Sequence, residues 1–293
     1  MWLPWDDGHR SQSERIAEMA SALGPLVSAK WLAEHLGDDG LRVIDLRWYL
    51  DGRSGRDAYL AGHIAGASFV DFEADITGSA GPGRHPLPSR QQFQGAMRRA
   101  GVCSGSGVVV YDDQGGFSAA RLWWLLHYFG HPEVAVLDGG IAAWPDRLES
   151  GEVSSPTGDF TAGEPDAARV VDRDGVRQAA GSTLIDARAG ERYRGEVEPL
   201  DAKAGHIPGA ANVPWRSNLD AAWRFLPAAQ LSERYRMAGV DSTVDVIAYC
   251  GSGVSACVDL LALEIAGFQG ARLYEGSWSD WSGQDLPVAT GEG

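Results

Sequence analysis

Short aliphatic runs recur along the chain, separated by longer stretches of mixed polarity. Residues 41–46, 108–112 and 134–138 are such runs, and 183–187, 245–249 and 271–275 follow in the same style. They are near-continuous rather than alternating, which predicts strands buried on both faces, as in a parallel sheet covered by helices. Apolar segments at helical length predict helices over Ser118–Phe129 and Ser255–Ala266. Ser28 is a candidate N-cap for a helix over Ala29–Leu36. The Gly/Pro-rich stretch Thr77–Arg90 predicts a long loop. The fold class is therefore α/β.

The pattern is also duplicated. Leu-Arg-Val-Ile-Asp45-Leu-Arg47 is followed by Gly62-His63-Ile-Ala-Gly-Ala67, and Ser-Thr-Leu-Ile-Asp186-Ala-Arg188 by Gly205-His206-Ile-Pro-Gly-Ala210. Asp and His are 18 residues apart in the first copy and 20 in the second. Val108-Val-Val-Tyr-Asp112 matches Val246-Ile-Ala-Tyr-Cys250, and Val136–Trp144 matches Leu273–Trp281. Four matches in the same order predict two copies of one domain. The boundaries read as an N-terminal extension at 1–24 with one short amphipathic turn, a first domain at 25–148, a linker at 149–168 rich in Gly, Ser, Pro, Thr and acids, and a second domain at 169–293. Ligands of such sheets bind beyond the carboxyl ends of the strands, where Asp45, Asp112, Asp186 and Cys250 fall.

Cys250 carries the chemistry. A β-branched strand ends on it, the small-residue loop Gly251-Ser252-Gly253-Val254-Ser255 follows, and a helix comes next. This layout aims backbone N–H groups and the positive end of a helix dipole at one sulfur. The thiolate is the reactive form of cysteine. Gly251 and Gly253 let the loop turn tightly, Ser252 is placed to donate a hydrogen bond to a carbonyl or carboxylate, and Ser255 is a candidate helix cap. A cysteine-dependent phosphatase would need an arginine six positions after the nucleophile, and position 256 is Ala. Cys257 reads as a small buried residue, and Cys103 is similarly bland.

Composition narrows the partners. The net charge is −15, with 13 basic against 19 acidic residues in 1–150 and 12 against 21 in 151–293. No basic stripe points to nucleic acid. An anionic substrate is repelled at long range, so its site needs its own arginines or backbone donors. Three cysteines without a CxxC pair disfavour zinc and disulfide frameworks and fit a reducing cytoplasm. The first residues lack the basic and apolar regions of a secretion signal, and no apolar run reaches membrane-spanning length.

Together the duplicated pattern, both Gly-His-Ile-x-Gly-Ala motifs, the Cys-Gly-Ser-Gly-Val-Ser-Ala loop and Gly276-Ser-Trp-Ser-Asp-Trp281 resemble two-domain rhodaneses over about residues 25–290. The resemblance implies two tandem rhodanese-like domains, each a mainly parallel sheet flanked by helices. It implies sulfur transfer through a Cys250 persulfide, without metal or organic cofactor. The neutral Gly251-Ser252 pair is similar to the 3-mercaptopyruvate branch. A thiosulfate donor is the alternative, and a non-catalytic binding module, which would normally lack the cysteine, the remote one. The resemblance makes Arg192 a substrate-binding residue, with Gly251, Gly253, Val254 and Ser255 as the cradle and Trp48 and Phe117 as apolar contacts. It makes His63 a relay partner of Ser252, with Asp57 behind it, and His206 and Asp186 architectural. The family's second arginine is missing at Glu198-Pro-Leu-Asp201, which leaves Lys203 or Arg194 to replace it. Asp112 stands where a cysteine would be in the first domain. The implied partners are a small anionic sulfur donor and a thiol acceptor such as thioredoxin or a small thiol, with the chain itself monomeric.

Overall fold

The computed structural model describes residues 23–241 and 243–292. One sheet holds β1 (Leu26–Val27), β2 (Leu41–Asp45), β3 (Ser68–Phe69), β4 (Gly107–Tyr111) and β5 (Val134–Leu137) in the order β1-β5-β4-β2-β3. A second holds β6 (Val170–Val171), β7 (Thr183–Asp186), β8 (Ala211–Asn212), β9 (Val246–Tyr249) and β10 (Arg272–Tyr274) in the order β6-β10-β9-β7-β8. Their strand pairs are parallel. The two orders are the same when each sheet is counted from its own first strand, so the sequence repeat is a repeat of topology.

The six aliphatic runs become β2, β4, β5, β7, β9 and β10, each boundary within one residue of expectation. The two-residue strands β1, β3, β6 and β8 leave no run long enough to show a period. Middle strands β4 and β9 are buried along their whole length. Each feeds a helix, Ala119–Tyr128 and Ala256–Ile265, and the two helices pack on each other in a core shared by both halves. Ser28 caps Ala29–His35 by accepting the Trp31 N–H at 3.1 Å. The amphipathic turn expected in residues 1–24 lies outside the described residues, bar its last two.

The stretch expected as a linker runs without helix or strand until Ala167, yet it is strapped along the first half. Gly158 N–H donates to Arg98 O at 2.8 Å, Phe160 N–H to Val102 O at 3.1 Å and Gly163 N–H to Phe129 O at 2.7 Å. Phe160 and Ala162 are buried. Its Gly and Pro content serves close approach: a Cβ on Gly158 would meet Val102 O at 1.9 Å.

Both Gly-His-Ile motifs turn out to be the same architectural lock. Arg47 binds Asp45 at 2.6 Å and Gly62 O at 2.7 Å, and Arg188 binds Asp186 at 2.6 Å and Gly205 O at 2.7 Å. His63 Nδ1 lies 2.9 Å from Tyr59 O with its ring stacked on Tyr59, and His206 Nδ1 lies 2.8 Å from Tyr193 O with its ring stacked on Tyr193. Tyr111 and Tyr249 hydroxyls accept from Ile64 and Ile207 N–H, both at 3.1 Å. The expected relay role of His63 is therefore corrected: its Nδ1 is committed to the backbone of its own domain. Asp57 sits in the first turn of the helix Gly55–Ala61, with its N–H on Ser54 Oγ, and does not back a relay.

Candidate active site

Cys250 follows β9 directly and is almost fully buried. Its N–H donates to Ser277 Oγ at 3.2 Å, and its carbonyl accepts the Trp278 N–H at 2.9 Å. The Gly251 carbonyl accepts the Ser279 N–H, also at 2.9 Å. The Gly-Ser-Trp-Ser-Asp-Trp motif is thus the clamp that holds the cysteine loop. Ser277 adopts φ +52°, an uncommon conformation for a residue with a side chain, and its hydroxyl is tied to Tyr274 O at 2.9 Å. Gly253 has φ +78°, and a Cβ there would come within 2.8 Å of Glu275 O.

The N–H groups of Gly251 to Ser255 have no protein acceptor among the described residues. The first half shows what such a loop binds. There the Asp112 carboxylate accepts the N–H groups of Gln114, Gly116 and Ser118 at 2.9 Å and of Ala119 at 3.0 Å. The same strand–loop–helix turn holds its own carboxylate in one copy and follows the cysteine in the other. Backbone donors at a helix N-terminus form an anion site. Ser255 makes no cap bond, contrary to expectation, and lines the cleft instead.

The cleft over Cys250 encloses about 160 Å³. The sequence-predicted residues Trp48, Phe117, Arg192, Gly251, Ser252, Val254 and Ser255 all line it, so the first half walls the site of the second. Arg192 is held by Glu198 at 2.6 Å and Asp201 at 3.1 Å. The two residues offered for the missing arginine are elsewhere. Lys203 donates to Gln284 O at 2.6 Å, and Arg194 pairs with Glu196 and Glu292.

The segment read as a featureless loop, Thr77–Arg90, brings in the residues that sequence reasoning missed. His85, not His63, meets the loop serine: its Nδ1 lies 2.7 Å from Ser252 Oγ. Its Nε2 lies 3.5 Å from Glu73 Oε1, and its ring meets Trp48 edge-on. Burial, then the nearby Arg121 and Arg84 guanidiniums, push His85 down to about 4, so the ring is neutral near pH 7. Arg84 lines the cleft beside Arg192. From the helix Ala119–Tyr128, buried Arg121 donates to Gly253 O at 3.0 Å and to His85 O at 3.1 Å. The one hint in the sequence was a basic pair, Arg84-His85, inside an otherwise Gly/Pro/Ser stretch. Cys257 is fully buried, donates to Gly253 O at 3.4 Å, and burial pushes its thiol up to about 12, which makes it inert beside Cys250. No group of residues that could hold a metal ion is found among the described residues.

The depressed histidines have a consequence for stability. His85 and His127 both titrate near 4 in the folded protein against 6.5 unfolded, each through burial first. The unfolded chain then binds more protons between those values, so stability falls as pH drops from about 6.5 to about 4. Melting temperature followed over that window should fall less steeply in His127→Gln than in the parent; equal slopes would refute the assignment.

Comparison with known proteins agrees with this construction. The family model described as "Rhodanese-like domain" matches residues 28–146 and again 171–284. A probable 3-mercaptopyruvate sulfurtransferase of Pseudomonas aeruginosa is 44% identical over 280 residues, covering 91% of this chain and 98% of the relative. A putative thiosulfate sulfurtransferase of Mycobacterium tuberculosis, SseB, is 43% identical, covering 91% and 97%. The crystal structure of SseA from Escherichia coli, described as a 3-mercaptopyruvate sulfotransferase, superposes with a TM-score of 0.79 at 38% identity, covering 88% of this chain and all of that one. No described helix is long and apolar enough to cross a membrane.

Proposed function

Because the chain belongs to the rhodanese-like family, we propose that it is a sulfurtransferase that takes sulfur from 3-mercaptopyruvate onto Cys250 and hands it to a thiol. The observation that carries the donor is the Ser252 hydroxyl, backed by His85 at 2.7 Å and set in the loop of the nucleophile. Cys250 thiolate attacks the thiol sulfur of the donor. The carbon–sulfur bond breaks, and its electron pair moves into the enolate of pyruvate, which then takes a proton at carbon. Negative charge gathers on the former carbonyl oxygen, and Ser252 is the group placed to donate to it when the neutral His85 ring donates from Nδ1 to the Ser252 oxygen. Thiosulfate needs no such donor, because sulfite leaves as a stable anion. The sulfur stays on Cys250 as a persulfide, cradled by the open N–H groups of Gly251 to Ser255 and the dipole of the helix Ala256–Ile265.

In the second half-reaction an acceptor thiolate attacks the outer sulfur and Cys250 leaves as thiolate. A small thiol or a thioredoxin-type protein fits this step. Three unpaired cysteines support a reducing compartment such as the cytoplasm. A thiosulfate donor is the second reading, favoured by the guanidiniums at the cleft and by the 43% relative of that name. Steady-state transfer to cyanide decides between them. We expect a kcat/KM for 3-mercaptopyruvate about a hundredfold or more above that for thiosulfate, the worth of one strong donor in the transition state. The reverse preference would remove Ser252 and His85 from the donor step.

A further inference from the structure

Two guanidiniums converge on the cysteine loop from different halves of the chain. A Cβ built on Gly251 would lie 3.0 Å from Arg84 Nη2 and 3.6 Å from Arg192 Nη1. Both arginines line the cleft over Cys250. Both also share one carboxylate, since Asp201 pairs with Arg84 and, at 3.1 Å, with Arg192. Glu198 stays on Arg192 and Arg188 at 2.6 and 3.3 Å.

Arg84 is held there by design of its segment. Gly83, at φ +74°, lies so close to the second half that a Cβ would meet Gly276 O at 2.5 Å. The Arg84 N–H donates to Ser279 Oγ at 3.1 Å, and the next residue, His85, meets Ser252. Gly83, Arg84 and His85 dock as a unit on the cysteine loop and its clamp.

We propose that Arg84 is a donor-binding residue: together with Arg192 it grips the anionic end of the sulfur donor above Gly251, and Asp201 occupies the pair as a built-in competitor until the donor displaces it. Planar guanidiniums suit a carboxylate or sulfonate, and two of them answer the long-range repulsion from a chain of net charge −15. Gly251 is then glycine because any side chain would enter the space that the two guanidiniums face. The incoming anion takes the place of the Asp201 carboxylate on the two guanidiniums, which are its ion-pair partners. This inference rests on the sulfurtransferase reading and specifies how its donor is held.

The test is KM for 3-mercaptopyruvate in Arg84→Gln, Arg84→Lys and Asp201→Asn, with thiosulfate run in parallel. Arg84→Gln should raise KM about tenfold, the loss of one charge-assisted contact, with a smaller change in kcat. Arg84→Lys should recover part of the loss, and Asp201→Asn should lower KM. The two substitutions remove the same ion pair, so a merely structural strut predicts KM shifts in the same direction. Same-direction shifts, or an Arg84→Gln KM equal to that of the parent, overturn the proposal. A parent enzyme that prefers thiosulfate overturns the mercaptopyruvate reading alone, because the opposite signs can then be read with thiosulfate.

Discussion

Cys250→Ser abolishes sulfur transfer, with kcat reduced by at least about a thousandfold, the scale on which loss of a nucleophile acts. A hydroxyl cannot hold a sulfane sulfur, and no second group at the site can take over. Cys257 faces Gly253 O inside the core, with its thiol pushed up to about 12. Asp112 occupies the matching place in the first half with its carboxylate already bonded to four N–H groups. Serine is close in size to cysteine, so folding should be retained. Intact-mass spectrometry after incubation with donor should show one added sulfur atom on the parent and none on the variant. An added sulfur on Cys250→Ser would sink the mechanism, whatever the residual rate.

Arg121→Met should damage both stability and turnover from the other half of the molecule. Arg121 is 1% exposed and has no carboxylate within ion-pair distance among the described residues. Its two terminal nitrogens donate to carbonyls, Gly253 O in the cysteine loop and His85 O in the arm that carries the histidine. Methionine keeps much of the volume and none of the donors. The His85 carbonyl left bare in the interior costs about 1–3 kcal/mol, and Gly253 O keeps only the weak Cys257 thiol donor. The loop and His85 then lose their common anchor, and misplacement on the ångström scale costs about a hundredfold in kcat. Arg121 also ranks next after burial among the causes that hold His85 down, so the acid limb of the pH profile should move up in the variant. Denaturant unfolding and a pH–rate profile measure both effects; parental stability with parental kcat would show that Arg121 is not the link between the halves.

What was legible in the chain and what was not divides by distance along it. The aliphatic runs that became β4 and β9, the helices after them and the Cys250 loop are patterns within about ten residues, set by strand and helix period and by glycine. The missed contacts are long-range. His85 and Ser252 are separated by 167 residues, Arg121 and Gly253 by 132, and Arg84 and Asp201 by 117. His63 attracted the relay role because it stands in a recognisable motif, but the second copy carries the same motif at His206 with the same bond to a tyrosine carbonyl. A motif present in both halves serves what both halves share, which is architecture.

The amino-acid sequence by itself determined the duplicated α/β fold, the position of the one reactive sulfur and the glycine-rich turn that surrounds it, because each follows from local periodicity and backbone freedom. Only the tertiary structure decided which histidine stands behind Ser252, which arginine joins Arg192, and how a half without a nucleophile still serves the site. Those depend on a Gly/Pro-rich arm with no period of its own, placed by packing between two halves of the chain.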